Sequence, residues 1–227
     1  MEAKNFFYIL LIMKLMDEKK YELAKEFVNF AADQIKDENS RTLDHTISKI
    51  YFYKGMINEK TGTLSSIVPE FFDVYWLASL RGDQQTMATV LNFILRSYLN
   101  DHLYTEAANL ISICPMPQDA SYNQQARYLY YDARVKAVQV NYPEAQGRVL
   151  LAQRKASEVG GYGFRLQAQK LRVIIELLMG VIPDRNIFSN REMKTDLEPY
   201  FKIVMKVREG ELEGFKQVIE QYKGLFT

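Results

Sequence analysis

Apolar residues recur along this chain at spacings of three, four and seven, and almost never in alternation. Leu91, Ile94, Leu95 and Tyr98 share one helical face, as do Leu171, Ile174, Ile175 and Leu178, and again Phe215, Val218, Ile219 and Tyr222. No stretch alternates like a strand flanked by hairpin turns. The breaks fall mostly at Gly62, Gly82, Cys114-Pro115-Met116-Pro117, Gly160-Gly161, Gly180 with Pro183, and Gly210. The pattern between them predicts about eleven helices, over 3–16, 18–37, 42–60, 67–81, 83–100, 103–114, 121–140, 142–158, 163–179, 191–209 and 211–225. The apolar run Phe6–Met13 reads as a buried helix. In the 163–179 helix Val173 and Leu177 add a second stripe, as expected of a helix sandwiched between neighbours.

A repeat underlies this periodicity. Tyr21, Ala24, Val28 and Ala31 recur as Tyr104, Ala107, Ile111 and Cys114, and as Tyr142, Ala145, Val149 and Ala152. Each copy follows, at one offset, a helix bearing Tyr8, Leu11 and Leu15, or Leu91, Ile94 and Tyr98, or Leu129, Ala133 and Lys136. Small residues on a second helix that let a first pack close are the tetratricopeptide pattern. The first two copies lie 83 residues apart, so a degenerate copy is expected between them, a place that Thr61–Phe72, with Pro69, fits poorly. One hairpin cannot bury its apolar face alone, whereas a stack can. The expected fold is therefore all-α, a right-handed solenoid of tetratricopeptide-like hairpins. It reads as one domain over 1–227, with N-terminal hairpins over 1–120 and further repeats over 121–227.

Composition adds exclusions. With 48% hydrophobic and 25% charged residues in 227, the chain is ordinary for a folded globular protein. The net charge of +1 creates no global field toward nucleic acid or an acidic membrane. No apolar run reaches the roughly 20 residues that span a bilayer. The one cysteine, Cys114, has no internal partner, which favours a reducing compartment; it reads as a small buried hydrophobe near a helix end.

No motif in the sequence calls for chemistry. His45 and His102 have no Cys or His at metal-ligand spacing and read as surface or partly packed residues. No phosphate-binding glycine loop and no nucleophile elbow occurs, and Gly160-Gly161-Tyr162-Gly163 reads as a connector. Glu176 follows Arg172 by one turn and is expected to project from the apolar stripe, solvated or ion-paired. The run Tyr128-Leu129-Tyr130-Tyr131 is read as packing between hairpins rather than base stacking. No catalytic residue, metal site or cofactor is expected.

Charge is uneven all the same. Residues 121–172 carry 9 basic and 3 acidic side chains, against 12 and 16 over 1–120. Arg96, Arg134 and Arg172 lie 38 apart, the spacing of the last two repeat copies; Arg127 and Arg165 form a second pair at that spacing. In a solenoid equal register makes a row, here either an anion-binding row or a solvated face. Guanidinium groups pair bidentately with carboxylates, so an acidic extended peptide is the matching ligand.

The stretch Ala126–Ala145, the segments Gly163-Phe164, Gln169-Lys170-Leu171 and Glu176–Gly180, and the sequence Ile182-Pro183-Asp184-Arg185 carry a resemblance. Leu197, Pro199-Tyr200-Phe201 and Val207–Phe215 extend it, with Leu91-Asn92, Leu95–Leu99, Leu103-Tyr104 and Glu106-Ala107 upstream. The chain resembles the family of the proteasome lid's non-ATPase regulatory subunit three, which are PCI-domain proteins. That resemblance implies a helical-repeat arm leading into a winged helix, which is not expected within these residues, since they stop at Thr227. It implies a non-catalytic scaffold in cytoplasm and nucleus, with other lid subunits and a small acidic lid peptide as partners. Under it, Arg96, Arg127, Arg134, Arg165 and Arg172 would face that peptide. The alternative is a PCI-type adaptor of an mRNA-export or other multisubunit complex that contacts nucleic acid; the near-neutral charge and Ile182–Arg185 favour the lid.

Overall fold

The computed structural model describes residues 2–35, 41–157 and 161–226. Among them there are helices and no strand. The long helices are α1 (Glu2–Asp17), α2 (Tyr21–Ile35), α3 (Asp44–Lys60), α4 (Val68–Arg81), α5 (Gln84–Asn100) and α6 (Tyr104–Ile113). They continue as α7 (Tyr122–Val138), α8 (Tyr142–Lys155), α9 (Tyr162–Leu178), α10 (Lys194–Glu209) and α11 (Leu212–Gln221), with a single turn, α12 (Lys223–Phe226), at the end. All eleven expected helices are present. The residues expected to prolong the second and eighth helices, 36–37 and 158, lie outside the described residues, as does Gly160.

One turn joins five of the consecutive helix pairs. Lys19, Gly82, His102, Val140 and Gly210 all adopt positive φ, between 59° and 72°. The next residue then donates its amide to the carbonyl five residues back: Lys20 to Leu15, Asp83 to Ala78, Leu103 to Tyr98, Asn141 to Lys136 and Glu211 to Lys206, at 2.8–3.1 Å. This is the closure that satisfies the last carbonyls of a helix around one left-handed residue. The carbonyl of that next residue accepts the amide four positions on, from Ala24, Met87, Ala107, Ala145 and Phe215, which opens the following helix. Five hairpins result: α1–α2, α4–α5, α5–α6, α7–α8 and α10–α11. Tyr21, Tyr104 and Tyr142, the first residues of the repeat, each open the helix that follows such a turn.

The chain forms two compact units, 1–128 and 129–227, whose boundary lies inside α7. In the first, α5 is the centre. Val90, Leu91, Ile94, Leu95 and Leu99 are buried on it, and α3, α4 and α6 pack around it. Ile12, Ala24, Val28 and Ile57 join α1, α2 and α3. Each large aliphatic side chain taken fully out of water contributes about 1.5–3 kcal/mol. Several polar groups in this core pair with one another. Ser48 and Thr89 share a 2.8 Å hydrogen bond, Gln124 Nε2 donates to Thr89 Oγ1, and Asn92 Nδ2 donates to Gln124 Oε1.

In the second unit α9 lies between two cores. Ile175 packs with Ala133, Ala145 and Val149 of α7 and α8. Leu166 and Val173 pack with Phe188, Met193, Leu197, Tyr200 and Val204 around α10. The sandwiched position expected for this helix is therefore observed, but its faces are not the expected ones. Ile174 and Leu178 are exposed, while Glu176 is buried. The reason is rotation: two neighbours meet α9 on either side of its 173–177 arc, and the 174–178 edge is left to solvent.

Two further expectations are corrected. The α1 helix is not buried: Ile9 and Ile12 face the core, but Phe6, Phe7, Leu10, Leu11 and Met13 are exposed. Among the described residues α2 and α3 are the main elements packed against α1, and a helix touched on one side buries one side. Thr61–Phe72 is no repeat copy. It holds a 3-10 turn at Ser65–Ile67 and the start of α4. The additional hairpin turns lie instead at Gly82 and Gly210, where the second helix opens with Gln84 and Leu212 and the tyrosine-alanine signature is missing.

Candidate functional site

Of the five arginines expected to bind a partner, the first unit holds two. Arg96 projects from α5 and pairs with Glu59 of α3 at 2.6 Å. Arg127, on the first half of α7, lies over the ring of Phe52 with its guanidinium carbon 5.2 Å from the centroid. Both are used inside the fold, and cation–π stacking of this kind contributes about 0.5–1 kcal/mol at an accessible site.

The second unit holds the other three. Arg134, on α7, is half-buried and has no carboxylate within ion-pair distance among the described residues. Arg165 and Arg172, two turns apart on α9, line one cavity of about 480 Å³. Gln153 at the end of α8, Gln169 of α9, and Asp184 and Asn190 of the 184–193 segment complete its wall. Arg165 reaches Glu192 at 3.4 Å, while its buried Nε has no partner. Arg172 Nε donates to Glu176 Oε1 at 2.7 Å. Glu176 is thus ion-paired as expected, but with its carboxylate in the interior, and Arg172 is what makes that burial tolerable.

The sequence signals differ in reach. The Arg172–Glu176 pair is visible as an i,i+4 spacing. The Arg96–Glu59 pair bridges two helices and has no local signature, and neither does the cavity. Also without a local signature is Asp132, buried on α7 and paired with Arg148 of α8 at 3.0 Å. Burial pushes its carboxyl above the usual aspartate range, against the pull of Arg148.

His45 and His102 are exposed, and Cys114 is buried at the end of α6. Tyr128 and Tyr131 are buried, and Tyr130 packs edge-on against Phe164 with centroids 5.6 Å apart. These rings are packing, not a stacking platform. Among the described residues no three His, Cys, Asp or Glu side chains gather as metal ligands, and no helix is long and apolar enough to cross a membrane.

Hairpins closed by one turn and lined by small residues are what known sequences match. The family described as PSMD3-like, N-terminal TPR repeats, matches residues 1–204. The chain belongs to that family. Relatives include the probable 26S proteasome non-ATPase regulatory subunit 3 of Nicotiana tabacum, 36% identical over 226 residues. The 26S proteasome non-ATPase regulatory subunit 3 of Dictyostelium discoideum is 36% identical over 225 residues, and the probable subunit 3 of Drosophila melanogaster 35% over 221. These alignments cover 97–100% of this chain but only 45–46% of each relative. The chain spans about half the length of the curated PSMD3-like proteins it matches. All three are named as non-ATPase regulatory subunits of the proteasome, and none is an mRNA-export protein, so the nucleic-acid-linked alternative finds no support in them.

Proposed function

We propose that this chain is a non-catalytic structural subunit of the 26S proteasome regulatory lid, at work in cytoplasm and nucleus. Its hairpin arm scaffolds contacts with other lid subunits for ubiquitin-dependent proteolysis. The observation that carries this reading is that the whole chain matches about half the length of proteins named as regulatory subunit 3. A hairpin stack supports it physically, because such stacks present extended surfaces to other proteins. The test is purification from cells through a tag on this chain. Recovery of the other lid subunits in equal amounts is the expected result; recovery of the chain alone overturns it.

Within that reading the small acidic lid peptide is taken by the arginines. Arg134 has no internal carboxylate among the described residues, and Arg165 holds only an exposed glutamate at 3.4 Å, so both are available to an incoming one. Arg172 keeps Glu176 neutralised and orients the cavity wall, whereas in the first unit Arg96 and Arg127 are already engaged by Glu59 and Phe52. Charge reversal at Arg134 and Arg165 together is the informative variant, since reversal at Arg172 would strand a buried carboxylate. Affinity for the peptide should fall, most at low salt, with helicity unchanged. Unchanged affinity at both salts would reduce the row to a solvated face.

A further inference from the structure

A second cavity in the 129–227 unit, about 610 Å³, lies beside the first turn of α10. Three cations stand around it: Arg185 on the 3-10 turn Arg185–Phe188, Arg191 in the turn before α10, and Lys194, the first residue of α10. Its apolar floor is Phe188 and Phe201, whose rings meet edge to face at 5.3 Å.

The surrounding segment is not short of carboxylates, yet each is drawn elsewhere. Asp184 caps the 3-10 turn through the amide and side chain of Asn186. Glu192 turns to Arg165. Asp196 accepts from the Tyr162 hydroxyl. Glu198, the one carboxylate on the cavity rim, pairs with Lys202 at 2.9 Å. Arg185, Arg191 and Lys194 have no ion-pair partner among the described residues. Three like charges gathered around one hollow repel one another, and no paired carboxylate offsets them.

We propose that this cavity is a docking site for a phosphorylated serine or threonine in an extended segment of a partner protein. The phosphoryl group would sit among Arg185, Arg191 and Lys194, and an apolar neighbour of the phosphoresidue would rest on the half-buried Phe201, which Phe188 backs from below. Charge decides between anions. A phosphoryl group brings about −1.5 to −2 and three acceptor oxygens, whereas one carboxylate leaves most of the positive charge unanswered. Arginine forks match phosphate oxygens bidentately. Single-stranded nucleic acid is the poorer fit. Phe188 is only 9% exposed, so it offers no open ring face to a base.

The probe is a fluorescein-labelled nonapeptide carrying one phosphothreonine and a leucine two residues away, with its unphosphorylated form and a nine-nucleotide oligouridylate as comparisons. Anisotropy titrations against the intact chain should show the phosphopeptide binding at least about tenfold tighter than the unphosphorylated form, a difference of about 1.4 kcal/mol. Arg185→Glu with Arg191→Glu should erase that difference while circular dichroism stays unchanged, and Arg191→Lys should keep part of it. Should the double reversal unfold the chain, Arg185→Ala with Arg191→Ala replaces it and should weaken phosphopeptide binding by about the same tenfold. Equal binding of the two peptides, phosphate selectivity that survives the folded double variant, or tighter binding of the oligouridylate would each overturn the proposal.

Discussion

Gly55 of α3 and Phe93 of α5 approach so closely that the glycine has no room for a side chain: a β-carbon there would stand 2.6 Å from Phe93 Cδ1. Phe93 cannot withdraw, because it is buried between the rings of Phe52 and Phe71. The usual gain of about 1 kcal/mol for alanine over glycine inside a helix is therefore outweighed. Gly55→Ala should destabilise the chain by about 1–3 kcal/mol in urea titration. Gly147, exposed on α8, is the control, because a β-carbon added there would meet nothing within 4 Å. Gly147→Ala should stabilise by up to about 1 kcal/mol.

Ala145 tests the repeat itself. It is fully buried against Ala133 of α7 and Ile175 of α9, in the position where Ala24 and Ala107 are equally buried. Ala145→Leu should cost about 1–3 kcal/mol by overpacking. A neutral result in denaturant titration would mean that the helices can move apart there.

The repeat is legible in the sequence because close helix approach demands small side chains at fixed positions, and the chain obeys this at Ala24, Ala107 and Ala145. What is illegible depends on neighbours distant in sequence. The α1 helix is apolar around its circumference, so no periodicity tells that Ile9 and Ile12 are inside and Phe7 and Leu11 outside. On α9 the exposed edge is fixed by the placement of α8 and α10, not by its own pattern. At the candidate sites arginine types, register and the local Arg172–Glu176 spacing are readable, but Glu59 and Glu192, which occupy two further arginines, owe their positions to tertiary packing. The shared hairpin turn is hidden for a different reason. Three of its five left-handed positions are held by Lys19, His102 and Val140 rather than glycine, so no turn residue marks them.

Alkaline stability should report Tyr51. Burial on α3, helped by the charge of Glu70, pushes its phenol up to about 12. An unfolded tyrosine ionises near 10, so between the two values the unfolded state releases a proton that the native state holds. Stability from this group is complete below about pH 10 and falls as pH rises toward 12, by roughly 2–3 kcal/mol in all. Tyr51→Phe should flatten that part of the curve in urea titrations at pH 9 and pH 11.5. A variant as alkali-sensitive as the parent would assign the loss to other groups.

Val140 should be the least comfortable residue in the chain. It closes the α7–α8 hairpin at φ 65°, where glycine stands in the equivalent turns at Gly82 and Gly210. A β-branched side chain in that region collides with its own backbone, at a cost of about 1–2 kcal/mol. Its side chain returns little, since 66% of the residue is exposed. Glycine would relieve the collision but give the unfolded chain more freedom, which takes back about 0.4–1 kcal/mol. Val140→Gly is therefore expected to stabilise the chain by about 0.5–1 kcal/mol, read as a higher urea midpoint with an unchanged slope. Lys19→Gly, at the same position of the α1–α2 turn, should gain less, because lysine is unbranched at its β-carbon. If Val140→Gly lowers the midpoint instead, the isopropyl group is holding the hairpin together through contacts that outweigh its strain.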